Sequence, residues 1–247
     1  MHASCWNRWS SEEDGSVEHE QAGGGKAPAG GGRETARRAR TRERLLDAAY
    51  RQFCEHGING TSIEAITDDA GFTRGAFYSN FASKEELFLA LTERENRARL
   101  ETLRDRFDEV VAPLGRVAGK PDPELIEGAI ADILAVQPDN RQWCLLNSEF
   151  KLLAMREPQV APRFLESVRT FQQELAAMVD TALASVGLRF SVDSGHLTRL
   201  LLDHFESAMQ EAILAGAEDA ERAVRDNVMR TLPSLVHSLT EVRPPGS

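Results

Sequence analysis

From Thr61 to Leu87 the sequence TSIEAITDDAGFTRGAFYSNFASKEEL sets helix starts and stops so close together that the backbone has few alternatives. Thr61 with Glu64 three residues on, or Ser62 itself, offers a side-chain oxygen to the free N–H groups of a first turn. Ile63, Ile66 and Ala70 follow at helical spacing. Gly71 then stands where a residue without Cβ can turn left-handed and redirect the chain, and Phe72 plugs the corner. Thr73 caps a second helix, Arg74 to Phe81, with Phe77 and Phe81 on one face and Arg74, Tyr78 and Ser79 pointing elsewhere. Ser83 with Glu86 forms a capping box for a third helix that carries Lys84 in its first turn. Two short helices around a glycine corner have helix-turn-helix geometry, which presents the second helix to a DNA major groove.

Residues 33–56 supply a preceding helix, with Leu45, Leu46, Ala49 and Phe53 at helical spacing behind a basic entry of Arg33, Arg37, Arg38, Arg40, Arg42 and Arg44. Gly57 ends it and Ile58 packs back. A shared core of Leu46, Ala49, Phe53, Ile63, Ile66, Phe77 and Phe81 makes a module of about 50 residues, marginal alone by size, so it needs support from the rest of the chain.

The run from Gly60 to Leu87, with its paired Phe77-Tyr78, Phe81 and the step Ser83-Lys84-Glu85, resembles the N-terminal DNA-binding signature of the TetR family of bacterial transcriptional regulators. The resemblance covers residues 37 to about 90; Thr67 and Phe72 are small departures, Phe72 standing where Val is commoner. It implies that Thr73, Arg74, Gly75 and Ala76 begin the recognition helix in the groove. Tyr78, Asn80 and Lys84, with Thr61 and Ser62 at the start of the preceding helix, would meet phosphates. Arg74 is the side chain there able to read guanine O6 and N7 together, a contact worth roughly 1–3 kcal/mol of discrimination. Gly75 and Ala76 allow close approach, although tolerance alone also explains a glycine. Lys84 has two readings, a solvated cation at a helix N-terminus or a phosphate ligand acting with the exposed N–H groups.

The formal charge of −10 is unevenly distributed: residues 33–84 carry +2, the first 32 carry −3, and residues 85–247 carry −9. Acidity thus lies outside the DNA-facing module. Residues 1–32, with Gly23-Gly24-Gly25 and Gly30-Gly31-Gly32, read as a disordered Gly-rich tail without the apolar centre of a secretory signal, and no later segment is apolar for the ~18 residues of a membrane span, so a cytoplasmic protein without a membrane partner is expected. Cys5, Cys54 and Cys144 have no paired spacing, and the histidines form no HExxH or Glu-x-x-His pattern. No metal, cofactor or catalytic residue is called for.

Every pattern after Leu87 is helical, which makes the expected fold class all-α: a three-helix DNA-binding module (33–84) joined to a larger helical ligand-binding and dimerisation domain (85–247). Leu103, Phe107, Trp143, Phe150, Phe171 and Met178 are large apolar positions that serve either a core or a ligand pocket, and Glu149 among apolar neighbours needs a partner or water. Pro233 should kink the last helix or mark its weak point. In the TetR family the last two helices form the subunit interface, which here implies Leu197, Leu201, Phe205, Ala208, Ala212, Val224, Val228 and Leu232 in a homodimer. The expected function is a DNA-binding transcriptional regulator, a repressor released from a palindromic operator by a small apolar or amphipathic effector. The alternatives are a redox-responsive regulator, or a helical small-molecule binding protein or enzyme without specific DNA binding.

Overall fold

The computed structural model describes residues 30–116, 119–134 and 140–243, so the expected tail, apart from its last glycines, and Cys5 lie outside the described residues. The chain divides into two compact units at Arg44. The first contributes the opening turns of α1 (Gly30–Gly60), where Arg37, Arg38, Arg40 and Arg44 are exposed. The second, from Leu45 onward, holds the remainder of α1 and α2 (Ile63–Ala70), α3 (Arg74–Tyr78), α4 (Lys84–Val111), α5 (Pro123–Leu134), α6 (Asn140–Arg156), α7 (Ala161–Ser185), α8 (Ser194–Leu214) and α9 (Ala220–Leu239). The fold is overwhelmingly helical, as the apolar spacings require. One feature escapes those spacings: β1 (Leu188–Phe190) and β2 (Thr240–Val242) pair antiparallel, Leu188 opposite Val242. Three-residue strands are too short to show an alternating pattern.

Helix ends follow local chemistry. Asp122 caps α5 through the Leu125 N–H at 2.9 Å. Asp193 caps α8 by accepting from the His196 N–H at 2.8 Å. Gly187 and Gly216 follow α7 and α8 with φ of 74° and 68°, the left-handed conformation that ends a helix at little cost in glycine. Pro233 sits buried inside α9, which continues to Leu239.

Two apolar clusters fill the second unit. One joins Leu45, Leu46, Ala49, Phe53, Ile66, Phe77 and Phe81 to Leu87–Leu91 of α4, Phe150 of α6 and Phe164 of α7. The N-terminal helices therefore have no closed core of their own, which is how a module of marginal size gains its support. Ile63 is only partly buried at its edge.

The other cluster packs α8 and α9 against each other and against α5 and α7. Of the residues expected at a subunit interface, Leu197, Ala208, Ala212, Val224, Val228 and Leu232 are buried within this one chain, with Leu201 and Phe205 partly buried against them. An apolar stripe marks burial without saying whether the covering helix belongs to the same chain. Leu200 and Leu214 of α8 and Leu235 of α9 are the large apolar residues those helices expose.

Because Phe150 is fully buried at the junction of α4, α6 and α7, Phe150→Ala should destabilise the chain by about 3–5 kcal/mol in urea unfolding.

Candidate nucleic-acid interface

Ser62 resolves the choice of first cap: its hydroxyl accepts from the Ala65 N–H at 3.0 Å. The Thr61 hydroxyl instead donates inward to the carbonyls of Gln52 (3.0 Å) and Gly57 (2.7 Å), and the residue is 2% exposed. Gly71 adopts φ 67° and its N–H closes α2 on Asp68 O and Thr67 O. Thr73 then accepts from the Ala76 N–H at 3.3 Å to start α3. That helix ends at Tyr78, three residues short of the sequence expectation. Asn80 folds back to donate from Nδ2 to the Ala76 carbonyl at 2.8 Å, while the Phe81 N–H still reaches Phe77 O at 2.9 Å. In the Ser83 box, the Glu86 N–H donates to Ser83 Oγ at 3.2 Å, and Glu86 in turn accepts from the Ala82 N–H at 2.7 Å.

With Phe77 buried, α3 turns Thr73, Arg74, Gly75, Tyr78 and Ser79 outward, Ala76 half-buried beside them. Nothing in the fold requires glycine at 75: the nearest atom to an added Cβ would be Thr73 Oγ1 at 3.7 Å, ordinary contact. Arg74 is held on the surface between two partners. Its Nη1 pairs with Glu64 of α2, its Nη2 lies 3.3 Å from the Tyr78 hydroxyl, and both neighbours favour the charged guanidinium, Tyr78 first. Glu64, a capping residue by its place in the sequence, is thereby a partner of Arg74, and the ten-residue separation across a glycine turn leaves no periodic signal of that pairing.

Lys84 occupies a place that neither of its readings anticipated. Its ammonium donates to Ile58 O at 2.6 Å and Thr61 O at 2.8 Å, bracing the α1–α2 corner from inside. Glu149, expected near a ligand, braces the same corner from the other side, accepting from the Ile58 N–H at 2.8 Å and the Asn59 N–H at 3.4 Å. Gln142, two turns earlier on α6, donates to Cys54 O at 2.6 Å.

The other expected pocket residues scatter. Phe150 lies in the first core cluster and Leu103 and Phe107 in the second, with Met178 packed on its edge. Trp143 stacks parallel to Phe88 at 6.4 Å beneath the Arg99 guanidinium at 4.3 Å. Phe171 lines a cleft of about 280 Å³ between α4 and α7, together with Leu89, Leu100, Arg97 and Arg163. The Cys144 thiol is buried; that burial raises its pKa and a Ser148 hydrogen bond opposes the shift, so the reactive thiolate is disfavoured at neutral pH.

A family model for bacterial regulatory proteins of the tetR family matches residues 45–91, which enclose this helix-turn-helix. Residues 45–91 thus carry the DNA-binding module of the TetR family. The HTH-type transcriptional repressor AcnR of Corynebacterium diphtheriae is 33% identical over 128 residues, 52% of this chain and 57% of AcnR. The probable acrEF/envCD operon repressor of Escherichia coli K12 is 41% identical over 56 residues, covering 23% of this chain and 26% of that protein. The chain thus spans little more than half the length of the first of these relatives. The TetR fold extends further: a regulator of the family from Mesorhizobium loti aligns with a TM-score of 0.57 at 21% identity, over 83% of this chain and 99% of that one. FadR of Bacillus subtilis, solved in complex with stearoyl-CoA, aligns at 0.58 with 15% identity, over 78% and 97%.

Gly57 is the residue in this TetR module whose backbone least tolerates replacement. It holds φ 72° and ψ 167°, and a Cβ there would sit 3.0 Å from Glu149 Oε1. Gly57→Ala should cost about 1–3 kcal/mol from backbone strain, read as a lower urea midpoint with unchanged m-value.

Proposed function

We propose that the chain is a DNA-binding transcriptional regulator, a dimeric repressor that leaves a palindromic operator when a small apolar or amphipathic effector binds. The outward face of α3 carries this reading: a guanidinium, a glycine that the fold does not need, and a phenol 48% exposed, on a helix whose opposite side is locked in the core. An exposed glycine in a helix costs up to about 1 kcal/mol against alanine. Close approach to another surface offsets that cost, and a major groove takes a helix at that distance. The named repressors among the relatives support the same conclusion.

On DNA, Arg74 exchanges Glu64 for base edges, with Tyr78 and Ser62 against phosphates. Thr61 and Lys84 act through the corner they hold rather than by touching the backbone with their own polar groups. Dimerisation would use what α8 and α9 leave outside, including Leu200, Leu235 and Leu214, the last 87% exposed. Two copies would set their recognition helices about 34–36 Å apart to read both half-sites on one side of the duplex. The effector would enter the helical body near the α4–α7 cleft. The acyl-CoA bound by FadR is in keeping with an amphipathic molecule. Among the described residues no helix is long and apolar enough to cross a membrane.

Selection from random duplexes should enrich a palindrome. On that sequence Arg74→Ala should narrow the gap between operator and single-base variants by about 1–3 kcal/mol per half-site in fluorescence anisotropy. Gly75→Ala should keep or raise the melting temperature while weakening operator binding. Enrichment of no sequence, or equal loss on all duplexes from Arg74→Ala, would remove the base-reading assignment.

A further inference from the structure

Gly57 breaks α1 in a conformation that stops the helical hydrogen-bond ladder, so the N–H groups of Ile58 and Asn59 open a fresh turn without carbonyls behind them. A side chain near in sequence normally caps such a turn. Here the acceptor is Glu149, 91 residues from Ile58, reaching across from α6 with both carboxylate oxygens. The same corner offers its carbonyls to Lys84, so one anion holds its N–H side and one cation its C=O side. Gln142 adds a second hydrogen bond from the same helix to the end of α1, at Cys54 O. Glu149 and Gln142 of α6 thus both hydrogen-bond the final turns of α1, and the chain leaves that corner directly into Ser62 and α2.

We infer that Glu149 is a positioning residue for DNA recognition: as a cap supplied from α6, it fixes the direction in which α2 and α3 leave α1. The inference rests on the reading of α3 as the DNA-contacting helix. Hydrogen bonds from backbone N–H to a carboxylate are short and directional, and a displacement of α6 by about 1 Å carries the 2.8 Å contact beyond hydrogen-bonding range. Any molecule that moves α6 thereby frees the corner and lets α3 change its angle to the groove. Gly57 belongs to the same device, since the carboxylate oxygens lie 3.0 and 3.1 Å from where a Cβ would stand, closer than ordinary van der Waals contact.

The test uses the full chain as wild type, Glu149→Ala, Glu149→Gln and, as a control on the exposed side of α6, Lys151→Ala, which removes the ion pair to Glu206. Amide hydrogen exchange is read at Ile58 and Asn59. Dissociation constants are read for a selected operator and for a random duplex at one salt concentration. In Glu149→Ala the two amides should exchange at least about tenfold faster and operator affinity should fall about tenfold. Random-duplex affinity should stay within about twofold, because phosphate contacts tolerate a misdirected helix. Glu149→Gln, which keeps one acceptor oxygen and nearly the same volume, should fall between and decides the matter alone if the alanine variant does not fold. Lys151→Ala should match wild type. Unchanged exchange, unchanged operator affinity, or equal losses on both duplexes would overturn the role of Glu149. A wild-type chain that prefers no duplex would instead overturn the DNA-binding reading on which it rests.

Discussion

Phe88 is the ring on which the N-terminal helices and the body meet. It lies 4.1 Å from Phe150 in a near-parallel stack and parallel to Trp143 on α6, and Phe53 of α1 leans on it at 6.0 Å. Phe150 passes the contact on to Phe164 of α7. Stacked and tilted aromatic pairs bury much area in fixed geometry, so α1, α4, α6 and α7 are tied through a single line of rings. Without it, α2 and α3 would belong to a module too small to hold its own shape. With it, the surface of α3 inherits the rigidity of the whole second unit.

Polar contacts then refine what the rings hold. The aromatic line sets where α6 lies, and Glu149 and Gln142 convert that position into the geometry of the α1–α2 corner. Arg94 of α4 adds a bridge to Asp47 of α1 at 2.7 Å. A displacement in the body reaches α3 through few intermediates, all of them packed or hydrogen-bonded.

Much of this was legible in the sequence, and the parts that were not share a cause. Ser62, Gly71, Thr73 and Ser83 announce helix ends because capping is a local contest for a few N–H and C=O groups. Phe77 and Phe81 announce burial because four-residue spacing puts them on one face. The long helices of the body show for the same reason. Partners distant in sequence do not: Glu149 looked like a polar residue in want of a ligand, and Lys84 like a cation at a helix start, because both answer to a corner formed elsewhere. Leu197, Val224 and their neighbours show in the sequence as covered faces, and periodicity leaves the cover, here helices of the same chain, unnamed. The β1–β2 ribbon, which pairs part of the α7–α8 connection with the segment after α9, is too brief to leave a pattern.

With Glu149 in the role inferred for it, the helix-turn-helix and α6 respond as one body. Hydrogen exchange of the full chain, with and without a selected operator duplex, tests it directly. Slowed exchange along α2 and α3 should be accompanied by slowing at Ile58 and Asn59 and in α6 between Gln142 and Leu153. Protection confined to residues 61–84, with α6 exchanging as in the free protein, would contradict it.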